Sequence, residues 1–560
     1  MRTNSLLTCL SLTVFAASTA GAQQHPNIAR GFSADKAYDS GLVDSVDLYS
    51  GALSLSIPIG PTYPVNASLS YGLALYYNSK VWDYEDVWTN NVEHLQALPD
   101  RSSNAGLGFR LSFGELLAPS SPLNETARWV YVSADGGQHT FWDRLHTGEA
   151  TATGVCYTRD NTYLRLKGIG GCFNNSNGLQ AEIEFPDGTI HKFTRTSVAL
   201  PFKLASIRDR FNNTITITYL TGPIRWQITD GSRTQTVYFT SSPSWGNTVV
   251  DKVDLAAPGA TIGTYRFNYT DATIYRSGDD DDPNTDDDAG LAGDQARVTF
   301  LSSLVLPDGS SYTMPVYETT TQLNPDGGFD VPGVLKKLTL PTGGQIEWTY
   351  QAYEFVQFDL YEPDARLWHD GIGMSTGIKT KKVLDAAGNC YGGACTWSYV
   401  PTVGVSPTYD RKVVVTSPLG DDTVHWFVDD QSWDYGLPVR KSLTDGSARY
   451  LSQEIYAGSV AGGNKKRSVY LRFEADADDA VYGSGYNLDR RLASQRTTFH
   501  DDGNRWAAVD ASNFDGLGHY RQSVTSGNFD SANARSEFTG WTGVQPAPAA
   551  AWLLNTFWDR

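Results

Sequence analysis

Methionine is almost missing from this chain of 560 residues: there are three, beside five cysteines and nine histidines. Charged residues make up 19%, and no internal apolar run is long enough to cross a bilayer. No membrane-spanning segment is therefore expected. Basic clusters are scarce as well. The formal net charge is −18, from 62 acidic and 44 basic residues, and the two short basic runs, Lys379–Lys382 and Lys465–Arg467, read as solvated strand ends. Nothing basic opposes that field, so no nucleic-acid partner is expected. The signatures of catalysis are missing too: no G-x-S-x-G elbow, phosphate loop, dinucleotide fingerprint or H-E-x-x-H is present. The chain reads as a non-enzyme without a cofactor.

What is plentiful points to β structure. Fifty-three glycines, 30 tyrosines and 15 tryptophans suit sheets with many turns. The N-terminus reads as a processing signal over 1–22: Arg2, the apolar LLTCLSLTVFAAS, then Ala20-Gly21-Ala22 as a cleavage site. Cleavage near Ala22 implies a secreted, periplasmic or cell-surface protein. Removing Cys9 leaves Cys156, Cys172, Cys390 and Cys395, for which three pairings exist. The couples Cys156–Cys172 and Cys390–Cys395 are favoured, because each sits within one Gly/Asn-rich loop. The C-x2-C spacing of zinc modules is absent, so loop staples in an oxidising compartment fit better.

The chain is organised around 41–118. Leu53, Leu55, Ile57 and Ile59 alternate with small or polar residues, and Leu69, Tyr71, Leu73, Leu75 and Tyr77 share one parity. Each run offers one apolar face, as a half-buried strand does. GPTYPVN connects them, and AGLGFRLSFGELLAP supplies a third strand. Between, EDVWTNNVEHLQALPD has Val92, Leu95 and Leu98 near helical spacing, which predicts a short helix. Further on, two units recur. The first is apolar-x-apolar-Pro-[Asp/Thr]-Gly, at Pro186, Pro307 and Pro341, where proline presets the turn and glycine takes positive φ. The second is apolar-x-Asp-x-x-[Asn/Gly]-Asn, at Asp209–Asn213 and Asp385–Asn389, with FDGLGHYRQ at 514–522 a looser relative.

VDLYSGALSLSIPIG, a strand ending YYNS, and GLGFRLSFGELL, in that order, resemble the opening region of RHS/YD-repeat proteins. The second unit is similar to a degenerate YD repeat, with Ile or Leu before Asp209 and Asp385 and Phe514 in place of tyrosine. The resemblance implies mainly antiparallel β-hairpins curled into a partial shell with few short helices. It also implies a protein cargo, or a second RHS-like chain completing the shell. A dense run of well-formed repeats and a C-terminal DPxGL-type boundary are missing, which fits a truncated toxin carrier. The expected division is a signal peptide at 1–22, an RHS-like β region at 23–355, a further such region at 356–545, and a Pro/Ala-rich apolar tail at 546–560.

Other features have plainer readings. SGDDDDPNTDDDAG at 277–290 is an acidic surface loop, with Asp279, Asp281, Asp286 and Asp288 as calcium candidates. His139 and His191 sit on strands beside turns. The aromatic runs belong to a core or shell wall, although they could line a sugar-binding cleft, and a secreted carbohydrate-binding or adhesive protein is the alternative. A glycoside hydrolase would need a coupled carboxylate pair. Trp552, Leu553, Leu554, Phe557 and Trp558 are expected beside an open C-terminal sheet edge, a route to self-association.

Overall fold

The computed structural model describes residues 29–559, except 33–35, 90–91, 122–123, 125–127, 147–148, 150–152, 174–177, 243–247, 276–294, 320–331, 355–373, 403–409, 429–448, 475–488, 490, 530–534 and 542. Among the described residues the architecture is antiparallel β, with three short 3-10 turns. The 277–290 loop with its calcium candidates, and the 1–22 leader, lie outside the described residues.

Local chemistry explains the hairpins. At Pro186, Pro307 and Pro341 the same turn recurs: Gly188, Gly309 and Gly343 each have φ of 86°. Each donates its N–H three residues back, to Phe185, Leu306 and Leu340. An L side chain is strained at that φ, so glycine fixes the turn and with it the hairpin register. A fourth copy, Pro418-Leu419-Gly420, escapes the sequence unit because leucine stands where the unit has Asp or Thr; Gly420 donates to Ser417 O in the same way. The aspartate unit is a second device. One Asp385 oxygen accepts the N–H groups of Ala387 and Asn389, at 2.9 and 2.8 Å. Asp209 does the same for Phe211 and Asn213, and Asp515 for Leu517 and His519. A carboxylate thus satisfies two turn amides that the ladder cannot reach.

Eight strands form a closed ring: 115–117, 130–132, 138–142, 155–158, 165–167, 180–184, 190–194 and 202–208. Phe202 and Lys203 close it by pairing with Leu116 and Glu115. A ring of that size has room only for side chains. Phe141, Cys156, Leu166, Ile183, Phe193 and Phe202 fill it, all fully buried. The second half of the closing strand, Ser206–Arg208, turns instead to Thr214–Thr216. From that branch point every strand pairs with the next, in one ribbon that ends with 535–538 registered on 520–527.

The N-terminal sheet, strands 38–40, 44–47, 53–64, 70–78 and 109–110, lies on this ribbon. Its apolar parity is buried, with Leu55, Ile57, Ile59 and Leu75 at 0–1% exposure, while Ser56 and Pro58 are exposed. Contact is close. Ile378 N–H donates to Gly51 O at 2.9 Å, Leu107 N–H to Thr299 O at 2.8 Å, and Val250 N–H to Asn104 O at 2.9 Å. A Cβ on Gly51 would lie 2.5 Å from Gly377 Cα, so the crossing needs glycine on sterics alone.

Residues 82–89 and 92–99 are strands, not the expected helix. Trp82–Thr89 and Val92–Pro99 form a hairpin with Thr89 opposite Val92. The Asn-Asn at its centre is a turn signal, and the surrounding Trp, Val, Tyr and Thr favour strands over the apparent helical spacing.

Candidate functional site

Three surfaces distinguish this chain: a buried polar seam, a bare ladder, and a docked tail. The seam joins the N-terminal sheet to ribbon strands 374–384, 396–402, 410–416 and 422–428. Lys381 Nζ lies 2.6 Å from the Asp44 carboxylate, with side-chain exposures of 7% and 1%. This corrects the reading of Lys379–Lys382 as a solvated strand end: alternation turns one of its lysines inward, where an aspartate of the other layer meets it. Lys80 Nζ donates to Thr376 O at 2.6 Å. Burial pushes its ammonium down to about 7, against the opposing pull of Asp47. Asp47 accepts from Tyr49 N–H and the Ser50 hydroxyl and pairs with Lys36 at 3.5 Å. Tyr399 donates its hydroxyl to Asp39. Arg411, fully buried, stacks over Tyr49 and Tyr353 at 4.7 and 5.5 Å. Burial also lowers His425 to about 4, leaving a neutral imidazole. These ionic contacts fix how the two layers cross, since an unpaired charge here would be costly.

The ladder of strands 449–456, 465–474, 491–499, 505–514, 520–527 and 535–538 is built differently. Among the described residues the main hydrophobic cluster reaches no further along the chain than Phe427. Among the described residues of these strands, the buried apolar ones are Tyr456, Ala493 and Ala508. Gln495 and Arg496 are both exposed, as are Val509 with Asp510 and Ser512 with Asn513. Adjacent strand residues face opposite sides, so both faces of this ladder are open. It is held by backbone pairing, by Lys465–Glu454 at 2.6 Å, and by Arg496 over Trp506 at 4.3 Å.

The tail corrects another expectation. Trp552 and Leu554 are 1% and 2% exposed, packed with Leu145, Val155, Tyr157, Tyr163 and Leu517. The Trp552 indole donates to Tyr163 O at 2.7 Å. Fully buried Arg165 donates to Pro546 O, Ala547 O and Ala550 O, pairs with Glu184, and lies 4.5 Å from the Trp552 ring. The tail therefore docks on the chain's own ring, because that burial is available intramolecularly; Phe557 stays 58% exposed.

Each cysteine couple is brought together, Cys156 with Cys172 (Cα–Cα 5.8 Å) and Cys390 with Cys395 (5.1 Å). His139 and His191 do sit on strands beside turns. His139 meets Asp160 at 2.8 Å; burial would lower its pKa, but that carboxylate raises it on balance. His191 is pushed down to about 4 by burial. Asp83 and Asp100 converge on Arg30, at 2.8 and 3.5 Å. Burial works to raise Asp100, yet Arg30 and Ser102 hold it below the ordinary carboxylate value, unlike a general acid. Among the described residues no three His, Cys, Asp or Glu side chains converge as metal ligands would, and no helix is long and apolar enough to cross a membrane. The interior lysines, Arg165 and the tail dock had no sequence signal beyond apolar character at 552–554.

No family model matches the sequence, and no curated protein matches it. Solved structures do. One is a TcdB2–TccC3 structure, at 9% identity and a TM-score of 0.28, covering 91% of this chain and 38% of that one. Another is the Tc holotoxin pore of Photorhabdus luminescens, at 8% and 0.29, covering 93% and 44%. A third is the N-terminal domain of the effector protein SpvB from Salmonella typhimurium, at 12% and 0.14, covering 80% and 98%. This chain thus spans less than half the length of the first two.

Proposed function

We propose that the chain is an exported, non-enzymatic β-shell segment that docks or encloses a protein partner against its 449–538 ladder. The observation that carries this reading is the two-sided exposure of that ladder. Elsewhere the ribbon obtains a second layer from the chain's own N-terminal sheet; over 449–538 a partner supplies it. Protein is the fitting class, because a sheet face of several strands offers a broad surface rather than a pocket. The resemblance of the 41–118 block and the aspartate turns to RHS/YD-repeat proteins supports the same reading, with a toxin cargo or a second shell chain as partner. The action would be steric: cargo held against the wall is kept from acting outside. Cleavage near Ala22 and the two cysteine couples agree with export to an oxidising compartment.

Cross-linking mass spectrometry on the chain purified from its natural source tests this. Lysine cross-links to another protein are expected at Lys465 and Lys466, within the ladder. Inter-chain links confined to 41–208, or none with the chain sedimenting as a monomer, would sink the proposal.

A further inference from the structure

A cleft of about 490 Å³ opens where the ring, the first ribbon strands and the end of the N-terminal sheet meet. That volume suits a small organic ligand. Its walls are unlike each other. One is aromatic: Trp226 is half-buried, with its ring 5.7 Å from Phe113, 5.5 Å from Tyr219 and 4.6 Å from Phe239. The other carries Arg30 and Arg110, which differ in how they are satisfied. Arg30 is fully engaged, with Nε and Nη2 donating to Lys80 O and Trp82 O and Nη1 on Asp83 and Asp100. Arg110 is 7% exposed, yet its Nε has no hydrogen-bond partner, and Nη2 reaches the Ser112 hydroxyl only at 3.5 Å. The neighbouring Asp100 carboxylate accepts from Ser102 and Ser103, and its charge is shared between Arg30 and Arg110. Lys203 stands opposite Glu115 in the ring-closing register, with its ammonium 5.3 Å from the Tyr219 ring. One buried, under-satisfied guanidinium is left beside an aromatic wall.

We propose that this cleft binds an organic carboxylate carried on an aromatic or apolar body. The planar guanidinium matches a carboxylate, and it offers its Nη edge, which is held only by the long contact to Ser112. Trp226 receives the apolar part. Asp83, Asp100 and Glu115 also line the cleft, so a monoanion is favoured over the dianion of a phosphate monoester. The site is independent of the ladder at 449–538, and its failure would leave the docking reading intact.

Isothermal titration of the full mature chain with N-acetylphenylalanine, its amide, phenyl phosphate and glucuronate tests the assignment. The acid is expected to bind one to one, with the amide weaker by about tenfold or more, the scale of a lost charge-assisted hydrogen bond. Arg110→Gln should lose a similar factor. Because Arg110 is buried and that variant could unfold, Trp226→Leu serves as the second: it should erase the preference for N-acetylphenylalanine over N-acetylalanine. Equal binding of acid and amide, or an unchanged preference in Trp226→Leu, would overturn the proposal. So would tighter binding of phenyl phosphate, or glucuronate binding as tightly as the aromatic acid.

Discussion

The strands Leu53–Pro64 and Arg505–Phe514 are both long, antiparallel and paired on each side, yet they live in different surroundings. The first alternates buried and exposed residues because a second layer covers one face. The second has exposed neighbours on both faces. Backbone pairing therefore suffices to shape a ladder, while burial decides where stability resides. In the layered region the chain also buries charges, at Asp44, Lys80, Lys381 and Arg411; in the bare ladder its ion pairs stay wet. A seam of buried charge is tolerated only where a core already surrounds it and each ion finds a partner.

The largest expected difference between the two regions concerns pH. Lys80 titrates near 7 in the folded chain and near its ordinary 10.5 when unfolded. Between those values the unfolded chain holds a proton that the folded chain has shed, so unfolding becomes less favourable as pH rises. Stability should climb by about 4 kcal/mol across pH 7 to 10, at 1.36 kcal/mol per unit. Lys80→Met should flatten that climb in urea titrations at several pH values. In the bare ladder Lys465 behaves oppositely: burial would lower its pKa, but Glu454 raises it above 10.5. Its contribution is full below 10.5 and lost only above its raised value, so Lys465→Met should leave the climb intact.

Next in size is the seam ion pair. Asp44→Asn strands the Lys381 ammonium in the interior and should cost about 3–5 kcal/mol. Removing the exposed Lys466–Asp501 pair, 3.9 Å apart, should cost no more than about 1 kcal/mol. Chemical denaturation of both variants checks the ratio, and equal losses would break the contrast.

Apolar truncation should follow the same division. Leu75→Ala, at a fully buried position, should lose about 2–5 kcal/mol through lost transfer energy and a residual cavity. Val509→Ala, 46% exposed, should stay within about 0.5 kcal/mol.

Of the buried positions, the smallest loss is expected at the tail. Trp552→Phe keeps the aromatic packing and loses the hydrogen bond to Tyr163 O, for about 1 kcal/mol. Hydrogen exchange should quicken at 155–167 and 514–520 and stay unchanged across 53–78. Acceleration throughout the chain would mean that the tail supports more than its own dock.

Several of these features could be read from residue order. Alternation at 53–59 and 69–77 identified the face that is buried, since a strand's side chains must alternate. The Pro-x-Gly and Asp units marked turns that the structure contains, since proline, glycine and a carboxylate each act within five residues of themselves. Nearness in sequence also favoured the cysteine couples. Residues 82–89 and 92–99 depart from the expected helix: Val92, Leu95 and Leu98 satisfy a helical spacing by chance, while the Trp, Tyr, Val and Thr around them favour paired strands.

What the sequence determined by itself is local: strand faces, turn types and an all-β class, each set by interactions within a few residues. Only the tertiary structure decided that Phe202–Lys203 closes a ring on Glu115–Leu116, that Lys381 turns inward to Asp44, that Arg165 receives the tail, and that Arg110 is left under-satisfied beside Trp226. Those pairings join residues from tens to hundreds of positions apart. Their partners are chosen by how a twisted ribbon curls and which surfaces it buries, and no short-range pattern encodes that choice.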